Sequence, residues 1–236
     1  MLKPLLPFFV LNSVSLPLLK NMRPINVYAE LTPNPNSLKF VADVMLLEGG
    51  TVEYQQPAEA INCPLAAQLF TFTGVTKVFI AANFVTVSKA EDIDWFDITN
   101  ILREFIRGFL MSDEKLFLNS PFEAGHIPGK KDVTVAAPEK NLKTVEPVIQ
   151  STVTEMAPDP AAEKKIMELL DEYIRPAVEG DGGAIDFRSY KNGVVSVVLK
   201  GACSGCPSST VTLKSGIENL LKQMVPGVQE VVAVSE

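Results

Sequence analysis

Residues 112–159 carry no hydrophobic periodicity, and that gap constrains the fold more than any other feature of the sequence. They hold several prolines, scattered Lys and Glu, and few aromatics after Phe122. A stretch this long without a period buries too little apolar surface to offset its ordering entropy. The 236-residue chain therefore divides into two patterned blocks, 22–111 and 160–236. The segment between them is expected to be a flexible linker, with a random-coil span of about 35 Å. Residues 1–21 precede both blocks as a leader or disordered tail.

The first block reads as α+β. Ile25 to Leu31 alternates like a half-buried strand, and the turn Thr32-Pro-Asn-Pro-Asn36 leads into a second strand from Ser37 to Val41. Thr51 to Tyr54 makes a third strand. Pro64 to Phe70 suits a short helix with Pro at its start. Val75 to Ile80 and Phe84 to Ser88 form a hairpin across Ala81-Ala-Asn83. From Asp94, apolar residues recur at Ile98, Ile101, Leu102, Phe105, Ile106 and Phe109, which predicts a helix with one buried face. The sheet is expected to be mostly antiparallel and backed by helices.

The second block has the order α-β-β-α-β. A helix is expected over Ala161–Arg175, ending beside Pro176. Glu179-Gly-Asp-Gly-Gly183 is a loop, shaped by Asp181 and its glycines. It does not precede a helix in a phosphate-cradling arrangement. Two strands, Ala184–Tyr190 and Val194–Leu199, meet at Asn192-Gly193, a strong hairpin signal. A helix from Pro207 and a last strand, Val228–Val234, follow. Both blocks are thus small α/β sandwiches with mostly antiparallel sheets.

Only three cysteines and one histidine, His126, are present. So sparse and odd a cysteine set is no secreted disulfide framework, and one histidine excludes sites built on several imidazoles. The net charge of −7 argues against a nucleic-acid surface. The chemistry falls to Cys203 and Cys206, spaced C-x-x-C between a strand and a helix N-terminus. Small neighbours, Gly201, Ala202 and Gly205, admit a bulky group, and the free amides and dipole of the next helix favour a thiolate. Three readings stay open: an iron–sulfur cluster, a structural zinc shared between chains, and a thiol–disulfide pair. The last normally follows a strand in a β-α-β unit, an order this block is not expected to show. A cluster normally takes four thiolates. One chain supplies two, so a symmetric homodimer completes the set. Cys63 lies in the other block and reads as a small buried hydrophobe.

Val197-Val-Leu-Lys-Gly-Ala-Cys-Ser-Gly-Cys-Pro-Ser-Ser-Thr-Val-Thr-Leu-Lys-Ser-Gly-Ile-Glu218, with Arg175-Pro176 and Asp181-Gly-Gly183 upstream, closely resembles the C-terminal domain of the NifU/Nfu family. Thr32-Pro-Asn-Pro-Asn-Ser-Leu-Lys-Phe40 and Phe84-Val-Thr-Val-Ser-Lys89 resemble the Nfu N-terminal domain. The resemblance implies a scaffold or carrier, not an enzyme. It implies a [4Fe–4S] cluster bridging two subunits, Cys203 and Cys206 as ligands, and transfer to apo iron–sulfur clients, with upstream assembly proteins as further partners. It departs at Ala184, where many relatives carry an acidic residue, and at Cys63, where a Ser is expected.

The leader Met1 to Asn21 is apolar and broken by Pro4, Pro7 and Pro17. It lacks a small-residue cleavage site and is too short and interrupted to span a bilayer. Met22 is read as the true start, and no membrane partner is expected. The expected location is the bacterial cytoplasm, or an organelle if the leader is real.

Overall fold

A computed structural model describes residues 24–121, 160–205 and 207–234. The readings on the leader, on His126, on most of the linker and on Cys206 lie outside those residues. The N-terminal domain runs β1 (Val27–Leu31), β2 (Ser37–Ala42), β3 (Thr51–Tyr54), a 3₁₀ turn (Pro57–Asn62), α1 (Pro64–Leu69), β4 (Val75–Ala81), β5 (Phe84–Lys89) and α2 (Trp95–Met111). Its sheet has the order β1-β2-β5-β4-β3, and every neighbouring pair is antiparallel. Burial alternates along β3, but β1, expected to be half-buried, buries Val27 alone and leaves Leu31 89% exposed. Leu38, Phe40, Val78, Ile80, Val85 and Val87 share one core with Leu65, Leu69, Leu102 and Ile106 of the helices.

Helix α2 starts because the Asp94 carboxylate accepts the Phe96 amide at 2.9 Å, satisfying one of the donors orphaned in the first turn. Leu102, Ile106 and Phe109 face the core, whereas Ile101 is 56% exposed. The apolar stripe is thus narrower than its spacing suggests. After α2 the chain folds back. Leu116 and Phe117 pack on the core, and the Leu118 amide donates to the Asn62 carbonyl at 2.8 Å.

The C-terminal domain contains α3 (Pro160–Leu169), a π turn (Leu170–Ile174), α4 (Arg175–Gly180), β6 (Gly183–Lys191), β7 (Val194–Gly201), α5 (Pro207–Met224) and β8 (Glu230–Val234). Asn192 and Gly193 take positive φ, 50° and 80°, and close the expected hairpin. Ile166, Leu169, Ile185, Val197, Ile217 and Val231 form the core. Two expectations need correction. The first helix does not stop at Pro176. Proline lacks an N–H and its ring crowds the carbonyl four residues back. The π turn just before it widens the helix there, and the chain stays helical to Gly180. The elements follow the expected order, but the last strand does not pair as expected. β6 and β7 are antiparallel, but β7 and β8 are parallel, so β7-α5-β8 is a β-α-β unit with the cysteine loop at its first turn.

The two domains are in contact, not merely tethered. β2 is buried along its whole length. Its inward residues face the helices, while its outward residues face the C-terminal domain. Val41, Phe79, Ala81 and Phe84 cluster with Ala184 of β6. No helix of the described residues is long and apolar enough to cross a membrane.

Candidate metal centre

Cys203 lies in the loop Ala202–Gly205, between β7 and α5. The strand leaves the sheet at Gly201, which has φ of 64°. The Ala202 amide then donates to the Gly182 carbonyl at 3.2 Å, and the Ser204 amide and hydroxyl donate to the Gly201 carbonyl at 3.2 and 2.9 Å. From the first turn of α5, the Thr210 hydroxyl donates to the Cys203 carbonyl at 3.4 Å. Loop and helix start are thereby held as one unit.

Cys203 is 7% exposed and belongs to the C-terminal core. Gly183 lies directly against it; a Cβ there would stand 2.7 Å from the sulfur. Burial first, and then the nearby Asp181 carboxylate, push the thiol up to about 12. This corrects the expectation that the helix N-terminus yields a ready thiolate. In this conformation desolvation outweighs the dipole, and the sulfur is a neutral thiol at physiological pH. Asp181 therefore does more than shape its turn, because its charge works against ionisation of Cys203.

Beside Cys203 is a cavity of about 310 Å³, whose lining includes Glu53, Lys77, Lys200, Ser204 and Thr210. Glu53 and Lys77 come from the N-terminal domain. The Glu53 carboxylate accepts the Gly201 amide at 2.8 Å. The Lys77 ammonium donates to the Ser204 hydroxyl at 3.4 Å. The Asn34 side-chain amide donates to the carbonyls of Ala202 and Ser204 at 3.2 and 3.4 Å. The signal in sequence was only that these are polar residues on strands and turns, so reasoning from sequence missed them.

Cys63 is fully buried in the other domain's core, at the residue before α1. Burial pushes its thiol up to about 11, against weaker opposing hydrogen bonds from the Ala66 backbone and the Tyr54 hydroxyl. The structure does not bring it to Cys203. Among the described residues, no three His, Cys, Asp or Glu side chains gather into a metal-binding group.

Comparison with known proteins matches residues 27–113 to the family "Scaffold protein Nfu/NifU N terminal" and residues 166–232 to the "NifU-like domain". A mitochondrial NFU1 iron-sulfur cluster scaffold homolog of Homo sapiens is 37% identical over 206 residues, covering 87% of this chain and 70% of its own length. The mitochondrial NifU-like protein 4 of Arabidopsis thaliana is 35% identical, covering 89% of this chain and 66% of its own. The chain thus spans about two thirds of the length of these curated relatives. A solution structure of a NifU-like protein from Saccharomyces cerevisiae overlaps 42% of this chain and 88% of its own, with 24% identity and a TM-score of 0.37.

Proposed function

The chain belongs to the Nfu/NifU scaffold family, and on that premise we propose that it carries a [4Fe–4S] cluster on Cys203 and Cys206, shared with a second copy, and delivers it to apo-proteins. The observation that carries this reading is the C-x-x-C pair of the sequence, whose first member, Cys203, lies at the turn from β7 into α5. Two thiolates per chain need two chains to supply four. A cluster held between subunits is released more readily than one enclosed in a monomer, which suits a carrier and not a catalyst. Apo iron–sulfur proteins are the clients, and an upstream assembly protein is the source. The mitochondrial names of the relatives support the organelle alternative over the bacterial cytoplasm.

A thiol–disulfide role gains one point from the structure, because the loop opens a β-α-β unit as such pairs usually do. The raised Cys203 pKa does not weigh between the readings, because a thiolate is needed both to attack a disulfide and to ligate a metal. A bridging Cys₄ zinc uses the same ligands.

Anaerobic reconstitution with iron and sulfide, read by absorption, Mössbauer spectra and sedimentation, separates the three. The expected product is a dimer with about one [4Fe–4S] per two chains. Cys203→Ala and Cys206→Ala should each abolish it. A full-stoichiometry cluster in either variant, or stable zinc in place of iron, defeats the assignment. Recovery of activity by an apo-enzyme mixed with the loaded protein tests delivery.

A further inference from the structure

The outward face of the N-terminal sheet has a central row that the register defines strand by strand. Glu30 pairs with Lys39, Lys39 with Thr86, Thr86 with Phe79, and Phe79 with Glu53. The last four of these residues all meet the C-terminal domain. The Lys39 ammonium donates to the Gly180 carbonyl at 3.1 Å, and the Thr86 hydroxyl to the Gly182 carbonyl at 2.7 Å. The ring of Phe79 lies on Gly201, and Glu53 takes its amide.

The fit depends on missing side chains. A Cβ on Gly182 would stand 3.0 Å from the Thr86 hydroxyl and 3.2 Å from Lys39 Cβ; one on Gly201 would stand 3.0 Å from the Phe79 ring. Both glycines have positive φ, so each turn lays bare backbone flat on the sheet. Beside the row, Ala184 closes on Val41, Phe79, Ala81 and Phe84. Without that cover these four residues would form an apolar patch on the domain, with Lys39 and Thr86 deprived of partners they hold while buried.

We propose that this sheet face is a docking surface whose occupant is the chain's own cysteine loop, and that it must lift before Cys203 can reach a reagent, a metal ion or a second copy of the chain. Glu53 and Lys77 form the far wall of the cavity beside Cys203. Undocking removes that wall and widens the cavity that Cys203 itself lines. Access by a second copy rests on the shared-cluster reading above. The docking does not, and its test uses the cluster-free chain with organic probes, so the two fail separately.

The experiment is peptide-resolved labelling of the full chain, with iodoacetamide read at Cys203 and an N-hydroxysuccinimide acetate ester read at Lys39. Lys164, with a side chain 77% exposed, is the internal reference. In the native chain Lys39 should react roughly tenfold or more slowly than Lys164. Ala184→Glu puts a carboxylate into the apolar patch, and Thr86→Arg puts a long cation under Gly182. Each should raise both rates together by about tenfold while the circular dichroism spectrum stays native. Lys39 reacting like Lys164 in the native chain overturns the proposal without any variant. So does a folded variant that raises neither rate, or only one of the two.

Discussion

Gly183→Ala isolates the steric demand where the start of β6 packs against the cysteine loop. No left-handed backbone is involved at this position; the conflict is one of space. The added methyl would lie 2.6 Å from the Lys200 carbonyl oxygen, 2.7 Å from the Cys203 sulfur and 3.1 Å from Cys203 Cβ. Ordinary contacts between such atoms run at about 3.3–4.0 Å, so β6 and the cysteine loop must part by roughly 0.7–1 Å. Overpacking of this kind costs about 1–3 kcal/mol. For a domain of this size that lowers the melting midpoint by about 4–24 °C. Gly216→Ala, in the same domain, is the matched control. Gly216 lies within α5 with no atom within 4 Å of its Cβ position, so the methyl should add about 0.5–1 kcal/mol of stability. Differential scanning calorimetry of the full chain reads both. The transition that rises in Gly216→Ala identifies the C-terminal domain, and the same transition should fall in Gly183→Ala. A Gly183→Ala midpoint within about 1 °C of the native chain, or equal losses in both variants, refutes the reasoning.

In the N-terminal domain, Leu102→Ala empties a fully buried site and should cost about 2–5 kcal/mol in urea unfolding. Asp94→Ala removes the cap of α2 and should cost about 1 kcal/mol, with exchange of the Phe96 amide accelerated. Alkaline pH should destabilise this domain through Cys63. In the unfolded chain the thiol gives up its proton near pH 8.5, whereas the folded domain holds it up to about 11. The unfolded state therefore binds fewer protons above pH 8.5. The stabilisation is complete below that pH and is lost by about 1.4 kcal/mol per pH unit as pH rises towards 11. The urea midpoint of Cys63→Ala should fall less steeply across that interval; an unchanged slope would show that Cys63 is not the group responsible.

Much of each domain was legible because local pattern and tertiary need agree there. Asn192-Gly193 makes its hairpin, and Phe84 to Ser88 alternates because one face meets α1 and α2. Lys39 and Thr86 lie on the opposite face of their strands, yet they too are buried. Their cover comes from residues more than ninety positions away, and no local period records it. The π turn before Pro176 was missed for a related reason: proline signals trouble for a helix, but only packing decides between ending it and widening it. Spacing and context singled out the cysteine pair. The state of the Cys203 thiol was not, since it depends on desolvation by Gly183 and its neighbours and on the Asp181 charge, all placed by the fold.

The covered sheet face also has a history during synthesis. Its last strand ends at Lys89, and the loop that covers it ends with Gly205. At about 5–20 residues per second, the roughly 115 residues between them take about 6–23 s to emerge. Among the described residues, the cover of Val41, Phe79, Ala81 and Phe84 comes from Ala184 and Gly201, late in that interval, while the domain that bears them already has its sheet complete. The nascent chain thus presents an apolar strand face to whatever is near, and a holding chaperone has a window of seconds in which to bind it. Slowing elongation should lengthen that window and increase aggregation of the newly made chain, an effect that Phe84→Ser should reduce.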